Sequence, residues 1–252
     1  MKIRYFSDLH LEFIQTHKLK RLILDNILPI EGEEICILAG DIGYPDSENY
    51  DIFMKFISKH FIKTFVILGN HEYYQKGKNV KNMVEMLLFT EEYFKGFDNI
   101  SFLNNSSEKY GDYLFIGSTL WSKIIDPSYE INDVCQIPDF NYIKYNKLNR
   151  VCVDYLKSVL ETEKEQNCII ITHHVPSEKL IDEKYKTLKM KPYNQWFYCN
   201  LESLFSTNIK YWFYGHTHTP SISQIENIQF LCNPIGYPGE NNKIDLTSNI
   251  TI

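Results

Sequence analysis

Short apolar runs recur along the chain, and polar residues follow each of them at once. The runs hold four or five residues and are rich in β-branched and aromatic side chains. Such runs favour strands over helices, because branched and flat side chains pack well on a pleated surface. The predicted strands are Ile3–Phe6, Ile35–Ala39, Phe65–Leu68, Tyr113–Ile116, Cys168–Ile171, Tyr211–Tyr214 and Ile228–Leu231.

Longer stretches between the runs carry apolar residues three or four positions apart, which is the period of one helix face. The predicted helices are Leu19–Leu28, Tyr50–Phe61, Val80–Phe94 and Tyr145–Leu160. Alternation of strands and helices indicates an α/β layered fold. The segment 122–143 has weak periodicity and two prolines, so we expect an irregular excursion over one face. The segment 233–242, rich in proline and glycine, is predicted to be a loop.

Charge limits the classes of function that the chain can serve. Its 252 residues include 26 basic and 32 acidic side chains, which give a net charge of −6, and only Arg4, Arg21 and Arg150 are arginines. This balance disfavours a protein that coats nucleic acid or an anionic membrane. It does not exclude catalysis on a phosphate ester, because bound metal ions can reverse the local sign of charge.

Targeting signals and cysteine usage bear on location. The chain shows no apolar run near the roughly 18 residues of a membrane span and no leader before a cleavage site. Its six cysteines form no CxxC pair, which indicates free thiols in a reducing compartment. We therefore expect a soluble, cytoplasmic protein.

The chemically informative residues come directly after five of the predicted strands. Their blocks are Asp8-Leu9-His10, Gly40-Asp41, Gly69-Asn70-His71-Glu72, Thr172-His173-His174 and Gly215-His216-Thr217-His218. Open α/β sheets form their sites beyond the carboxyl ends of strands. Asp, Asn and His are ligands of divalent metals such as Mn²⁺, Fe²⁺ or Zn²⁺. A strand-end turn would explain any one block, but five in order predict a metal site.

This set of blocks resembles the calcineurin-like metallophosphoesterase superfamily, from the start of the chain to about His218. The segments Thr119-Leu120-Trp121, Asn132-Asp133 and 232–239 are similar to a small phosphohydrolase-type branch of it. The resemblance implies a four-layer α/β/β/α sandwich of two mixed sheets flanked by helices. It also implies one domain over residues 1–252, with an insertion at about 122–143 that shapes the substrate pocket.

The resemblance further implies a dinuclear metal centre with Mn²⁺ as the first choice and iron, zinc or nickel as alternatives. One ion would be held by Asp8, His10 and His218, and the other by Asn70, His173 and His216. Asp41 would bridge the two ions. His71 would be the catalytic histidine that binds no metal and lies beside the leaving group, while His174 would lie behind the ligands or at the rim.

The implied activity is hydrolysis of a small phosphodiester, phosphomonoester or nucleotide by in-line attack of a metal-bridging hydroxide. Two alternatives stay open. A nuclease acting on nucleic acid is disfavoured by the net charge of −6 and by the shortage of arginine. A catalytically silent scaffold would have lost ligand positions, and none is lost here. The expected partner is a small phosphate ester or nucleotide, with no membrane.

The chain departs from the protein Ser/Thr phosphatases of this superfamily. The run Gly40-Asp41-Ile42-Gly43-Tyr44 lacks their second aspartate and their arginine, and Leu68 replaces another arginine. A protein phosphatase is therefore disfavoured. The residue that orients His71 stays unidentified, with Asp46 and Glu72 as candidates.

Two aromatic clusters flank the later blocks. They are Trp121, Tyr129, Phe140 and Tyr142, and Tyr193, Trp196, Phe197 and Tyr198. Each could stack on a ring of the substrate or pack onto the sheet. Packing is the favoured interpretation for the first cluster, since buried aromatics usually belong to the core.

Overall fold

Two mixed sheets form the centre of the protein in a computed structural model that describes residues 1–27, 35–75, 80–240 and 245–252. The strands are β1 (Lys2–Phe6), β2 (Ile35–Ala39), β3 (Lys63–Ile67), β4 (Ile100–Phe102), β5 (Ser106–Tyr110), β6 (Tyr113–Ser118), β7 (Asn167–Thr172), β8 (Ile209–Tyr214), β9 (Ser221–Ile225), β10 (Ile228–Cys232) and β11 (Asn249–Thr251). One sheet has the order β11-β1-β2-β3-β4, and the other has the order β5-β6-β7-β8-β10-β9. β11, β5 and β9 are antiparallel edge strands, and the remaining pairs are parallel.

Helices cover the outer faces of the two sheets. They are α1 (Thr16–Leu19), α2 (Asp25–Ile27), α3 (Glu48–His60), α4 (Met83–Phe94), α5 (Asn132–Gln136), α6 (Tyr142–Thr162) and α7 (Lys191–Asn194), with a π-helical stretch at Lys20–Leu24 between α1 and α2. Polar side chains start the long helices by accepting from free backbone N–H groups. Ser47 caps α3, Asn82 forms a capping box with Glu85 at α4, and Asn141 caps α6.

Alternation along the buried strands separates three hydrophobic layers. On β2, Ile35 and Ile37 face the opposite sheet, whereas Cys36 and Leu38 face the helices. Between the sheets, Phe65 of β3 stacks on a phenylalanine of β6 with ring centroids 4.0 Å apart. Strands buried on both faces become continuous apolar runs, which is why the sequence pattern finds them. The layers confirm the predicted α/β/β/α sandwich.

The predicted elements agree with most of the structure. All seven predicted strands exist, with ends shifted by at most two residues, and three predicted helices correspond to α3, α4 and α6. The helix predicted at Leu19–Leu28 begins earlier, at Thr16, and its last residue lies outside the described residues. The segment 122–143 is irregular as expected, apart from α5 and the start of α6, and 233–240 is a loop, with 241 and 242 outside the description.

Four strands were missed, and each of them lies at or near an edge of its sheet. β5 and β9 alternate half-buried and exposed residues, and β4 and β11 have three residues each. Short, polar edge strands carry little hydrophobic signal. In the described part of the chain, no helix has both the length and the apolar character that crossing a membrane requires.

Gly117 of β6 packs tightly against Ile67 and Leu103, and it provides a test of this packing. A Cβ atom there would fall 2.2 Å from the Leu103 Cβ and 2.9 Å from the Ile67 Cγ2. We expect Gly117→Ala to lower the free energy of unfolding by about 1–3 kcal/mol in urea titrations, as overpacked cores do. Gly96→Ala is the control, since its nearest contact would be 3.4 Å. Equal stability of the two variants would contradict the close approach.

Candidate metal centre

The predicted site residues meet where the carboxyl ends of five strands converge. Asp8, Asp41 and Asn70 follow the neighbouring strands β1, β2 and β3, and His173 and His216 follow β7 and β8 of the other sheet. Backbone hydrogen bonds join these turns, with Asp8 N–H donating to Gly40 O at 3.0 Å and Gly215 N–H to His173 O at 3.0 Å. The seven predicted ligands and His71 are all buried. The fold therefore brings together the seven predicted ligands and His71.

The backbone at several of these residues is strained. Nine described residues other than glycine have positive φ. Five of them are predicted ligands, namely Asp8 (53°), His10 (48°), Asp41 (53°), His216 (70°) and His218 (49°). This left-handed conformation costs roughly 1–2 kcal/mol per residue and is concentrated at functional sites. The side chains of these predicted ligands meet in the groups described below.

Two glycines allow the sheets to bring their ligands close. A Cβ at Gly69 would lie 2.2 Å from Asp41 Oδ1 and 2.7 Å from His173 Nε2. A Cβ at Gly40 would lie 2.6 Å from His173 Nδ1. Any larger residue would separate the carboxylate from the imidazole, so the glycines of the two motifs have a steric role.

The first group of facing ligand atoms consists of Asp8, His10 and His218. His218 Nε2 lies 3.3 Å from Asp8 Oδ1 and 3.1 Å from His10 Nε2. The Asp8 carboxylate is held by the backbone N–H of His216, 3.1 Å away, and by the hydroxyl of Ser7. Burial works to raise the pKa of Asp8, but His218 and His173 together outweigh it and lower that pKa. The ionised carboxylate and two imidazole nitrogens fit a divalent cation.

The second group consists of Asp41, His173 and His216, with Asn70 beside it. His173 Nε2 lies 3.3 Å from Asp41 Oδ2 and 3.0 Å from Asn70 Oδ1. His216 Nε2 is buried without a hydrogen-bond partner in the described structure, which is costly for a polar atom unless a ligand satisfies it. Burial works to raise the pKa of Asp41, but His173 and His71 hold it well below its usual range. This group also fits a cation.

Asp41 is shared between the two sides of the centre. Its ligand atoms group with those of His173 and His216 on one side and with those of His10 and His71 on the other. Its Oδ1 also accepts the backbone N–H of His71 at 2.8 Å. A carboxylate in this place can contact two cations, as the bridging prediction requires.

Outer hydrogen bonds fix the orientation of the imidazole rings. His173 Nδ1 donates to Ala39 O at 2.9 Å, and His218 Nδ1 pairs with Glu240 Oε2 at 2.6 Å. His10 Nδ1 lies 3.2 Å from Glu12 Oε1. With Nδ1 engaged, each ring directs Nε2 toward the centre, which is the usual arrangement around metal-binding histidines.

Glu12 is a site residue that the sequence did not reveal. The same Oε1 atom that contacts His10 lies 3.0 Å from His71 Nδ1. On the other side of the His71 ring, Nε2 lies 3.0 Å from the hydroxyl of Tyr237. Burial alone would lower the pKa of His71, but the carboxylates of Asp41 and Glu12 outweigh it and raise that pKa.

Neither sequence candidate for orienting His71 does so. Asp46 pairs with Lys81 at 2.6 Å. The buried carboxylate of Glu72 instead accepts hydrogen bonds from the backbone N–H groups of Gly69 (2.7 Å), Asp41 (3.1 Å) and Ile42 (2.7 Å). Burial and the Asp41 carboxylate raise the pKa of Glu72 to about 8, and His173 together with the N–H groups of Ile42 and Gly69 opposes this rise. Glu72 therefore joins the turns after β2 and β3.

Asp133 fixes the amide of Asn70. Its Oδ1 accepts from Asn70 Nδ2 at 2.7 Å and from the Tyr74 hydroxyl at 2.5 Å. Burial raises the pKa of Asp133 to about 6. Because the amide nitrogen faces Asp133 of α5, the amide oxygen of Asn70 faces the centre.

His174 lies behind the centre. Its Nε2 is 2.7 Å from the Tyr145 hydroxyl, its Nδ1 is 3.2 Å from Thr119 O, and its ring packs on His216 at 4.3 Å. Burial lowers the pKa of His174 to about 3, so the ring is neutral. Both ring nitrogens of His174 have hydrogen-bond partners, and its ring supports the His216 ring by packing against it.

The two aromatic clusters divide between core and cavity. Trp121, Phe140 and Trp196 are buried in the core. Tyr193 and Phe197 instead line a cavity of about 350 Å³ that adjoins the predicted ligands. Packing into the core is thus confirmed for Trp121 and Phe140 of the first cluster. The second cluster contributes Trp196 to the core and Tyr193 and Phe197 to the cavity.

Known proteins share this sequence pattern and this fold. The model of a protein family described as calcineurin-like phosphoesterase matches residues 1–220. A protein of Acanthamoeba polyphaga mimivirus, described as uncharacterized, is 32% identical over 275 residues, which cover 99% of this chain and 96% of the relative. The phosphopantetheinyl hydrolase PptH from Mycobacterium tuberculosis superposes with a TM-score of 0.71 at 13% identity, covering 94% of this chain and 90% of that chain. At that identity the superposition shows the fold alone.

The three hydrogen bonds to Glu72 lead to a stability prediction. Glu72→Ala leaves three buried N–H groups without their acceptor, and each costs about 1–3 kcal/mol. We expect urea unfolding of the metal-free protein to show a loss of about 3 kcal/mol or more. Glu92→Ala, which removes an exposed ion pair with Lys95, serves as the control and should change stability by less than about 1 kcal/mol. A Glu72→Ala loss no larger than that of the control would refute the role given to Glu72.

Proposed function

The chain belongs to the calcineurin-like phosphoesterase family and is a metal-dependent phosphoesterase, and we propose that it hydrolyses a small phosphodiester, phosphomonoester or nucleotide at a dinuclear centre. The observation that carries the proposal is the pair of facing ligand groups with Asp41 between them. The unpartnered Nε2 of His216 supports it, because a cation would satisfy that buried atom.

We assign the ligands as the sequence predicted them. Asp8, His10 and His218 would hold one ion, Asn70, His173 and His216 would hold the other, and Asp41 would contact both. Two divalent cations at this site, which we propose to be Mn²⁺, would supply positive charge for the phosphoryl oxygens. They would also activate a water molecule as hydroxide for in-line attack on phosphorus. The neutral Asn70 limits the negative charge that the protein brings to the site.

His71 is the proposed general acid. Glu12 accepts a hydrogen bond from Nδ1 and so directs Nε2 toward the hydroxyl of Tyr237. The position of that hydroxyl shows that an oxygen atom can accept a hydrogen bond from Nε2 of His71. A leaving-group oxygen that displaced this hydroxyl would take the proton as its bond to phosphorus breaks, and a positioned acid typically contributes about 10²–10⁴-fold.

The lining of the cavity favours a small-molecule substrate over nucleic acid. Nucleic-acid binding needs basic residues along the backbone path, and no Lys or Arg occurs among the described residues that line the cavity beside the ligands. The fold is shared with a protein described as a phosphopantetheinyl hydrolase, which is consistent with a small substrate. The six free cysteines favour a reducing compartment, and we propose the cytoplasm.

Metal-dependent turnover tests the proposed function. We expect metal-stripped protein to be inactive on p-nitrophenyl phosphate and on bis(p-nitrophenyl) phosphate, and added Mn²⁺ to restore release of p-nitrophenolate. Asp41→Asn should reduce the restored rate by about 10²-fold or more, because it weakens the contact to both ions. Asp46→Asn, a matched change at a residue paired with Lys81, should retain the rate. Turnover that survives both chelation and Asp41→Asn would exclude the proposed mechanism.

Leaving-group dependence tests the pair of Glu12 and His71. Phenolate needs a proton to depart, whereas p-nitrophenolate departs without one. We therefore expect Glu12→Gln to slow phenyl phosphate hydrolysis by about 10–100-fold and p-nitrophenyl phosphate hydrolysis by much less.

Metal content is measured in the same Glu12→Gln samples, because Glu12 also contacts His10. Glu202→Gln, at an exposed pair with Lys179, is the control and should leave both rates unchanged. Equal losses on the two substrates at full metal content would show that Glu12 does not act through His71.

A further inference from the structure

The cavity of about 350 Å³ opens directly from the candidate metal centre. Its floor includes Asp41, Asn70, His71, His216 and His218. A phosphoryl group held at this floor has the rest of its molecule in the cavity, since the same residues belong to both. The walls therefore contact the part of the substrate that the metal centre does not hold.

The walls are mainly apolar and aromatic. Most of them come from two segments that lie apart in the sequence, with Ile131 from 122–143 and Ile181, Tyr185, Met190, Tyr193 and Phe197 from 181–197. The Phe197 ring packs on His216 with centroids 4.7 Å apart, so the aromatic wall begins at a proposed ligand. Tyr129 supports the Tyr193 ring edge-on at 5.5 Å. Such walls favour a flat or apolar group.

Charge in the cavity opposes a second anionic group. The described lining residues include Asp41, Glu130, Asp133 and Glu240 but neither Lys nor Arg. Cations at the floor would offset Asp41, whereas Glu130 and Asp133 lie on the insertion wall. A second phosphate or a carboxylate on the substrate would meet these acids in a partly desolvated space without a counter-charge.

We propose that this cavity selects phosphate esters that carry a single phosphoryl group on an alcohol with an uncharged ring. The proposal rests on the proposed function, because it places the phosphoryl group at the metal centre. It names the substrate class: the ring lies against Tyr193 and Phe197, and nucleotides or sugars with additional phosphates are rejected by the acidic lining.

Binding of non-hydrolysable phosphonates tests the proposal without turnover. Isothermal titration of the Mn²⁺-loaded protein compares ethylphosphonate, 2-phenylethylphosphonate and 2-(4-carboxyphenyl)ethylphosphonate. Burial of one ring predicts that the phenyl compound binds about 10–100-fold more tightly than ethylphosphonate. The carboxyl group should cancel most of that gain. Equal affinities for the ethyl and phenyl compounds, or tighter binding of the carboxyl compound than of the phenyl compound, would overturn the proposal.

Variants locate the effect in the cavity. Tyr193→Ala and Phe197→Ala should reduce the phenyl-to-ethyl affinity ratio to about threefold or less, because each removes part of the ring's apolar contact. Tyr142→Ala, a matched change at a half-exposed tyrosine outside the cavity, should leave the ratio as it was. Glu130→Lys should improve binding of the carboxyl compound relative to the phenyl compound. Unchanged ratios in all of these variants would refute the assignment to these walls.

The control compound separates this proposal from the proposed function. Ethylphosphonate tests only the phosphoryl site, since it has no ring to place in the cavity. Failure of all three compounds to bind would overturn the phosphoryl site and the cavity proposal together. Binding of ethylphosphonate without any gain from the ring would leave the proposed function intact and overturn the cavity proposal alone.

Discussion

The structure depends on the mutual compensation of acids and imidazoles that are buried together where two sheets meet. An isolated buried carboxylate costs several kcal/mol and would take up a proton. Asp41 stays ionised because His173 and His71 lower its pKa against the effect of burial. Asp8 does so through His218 and through the N–H of His216. The carboxylates of one sheet are thus stabilised mainly by histidines of the other, and this joins the sheets at their functional edge.

The same compensation explains why strained turns persist. Five proposed ligands occupy the left-handed region, which local chain preferences oppose. Glu72 gathers three backbone N–H groups from the turns after β2 and β3, and in that way stabilises both turns at once. Gly40 and Gly69 remove the side chains that would otherwise block His173. Hydrogen bonds and sheet packing offset the unfavourable free energy of the strained turns, so the site depends on the whole fold.

The sequence predicts the strands and ligand blocks, which have a local pattern, and it misses contacts between residues that are far apart in the chain. Continuous apolar runs reveal the buried strands, and the polar blocks after them reveal the proposed ligands. The contacts of those ligands have no such signal, because Glu12 is 59 residues from His71 and Glu240 is 22 residues from His218. Asp133 was singled out only by the family resemblance, and its contact with Asn70, 63 residues away, was not predicted. A lone acid in a turn or a short helix has many explanations. Only the fold shows which histidine or amide it contacts.

The segment 122–143 contacts both a proposed metal ligand and the cavity. Asp133 of α5 holds the amide of Asn70, while Ile131, two residues earlier, lines the cavity wall. A shift of α5 that widened the cavity would also move the partner of a proposed ligand. The Oδ2 of Asp133 has no hydrogen-bond partner in the described structure, so Asn70 and Tyr74 hold this carboxylate through one oxygen only. Changes of specificity at this wall must therefore preserve Asp133, and changes at the wall formed by 181–197 must preserve the packing of Phe197 on the His216 ring.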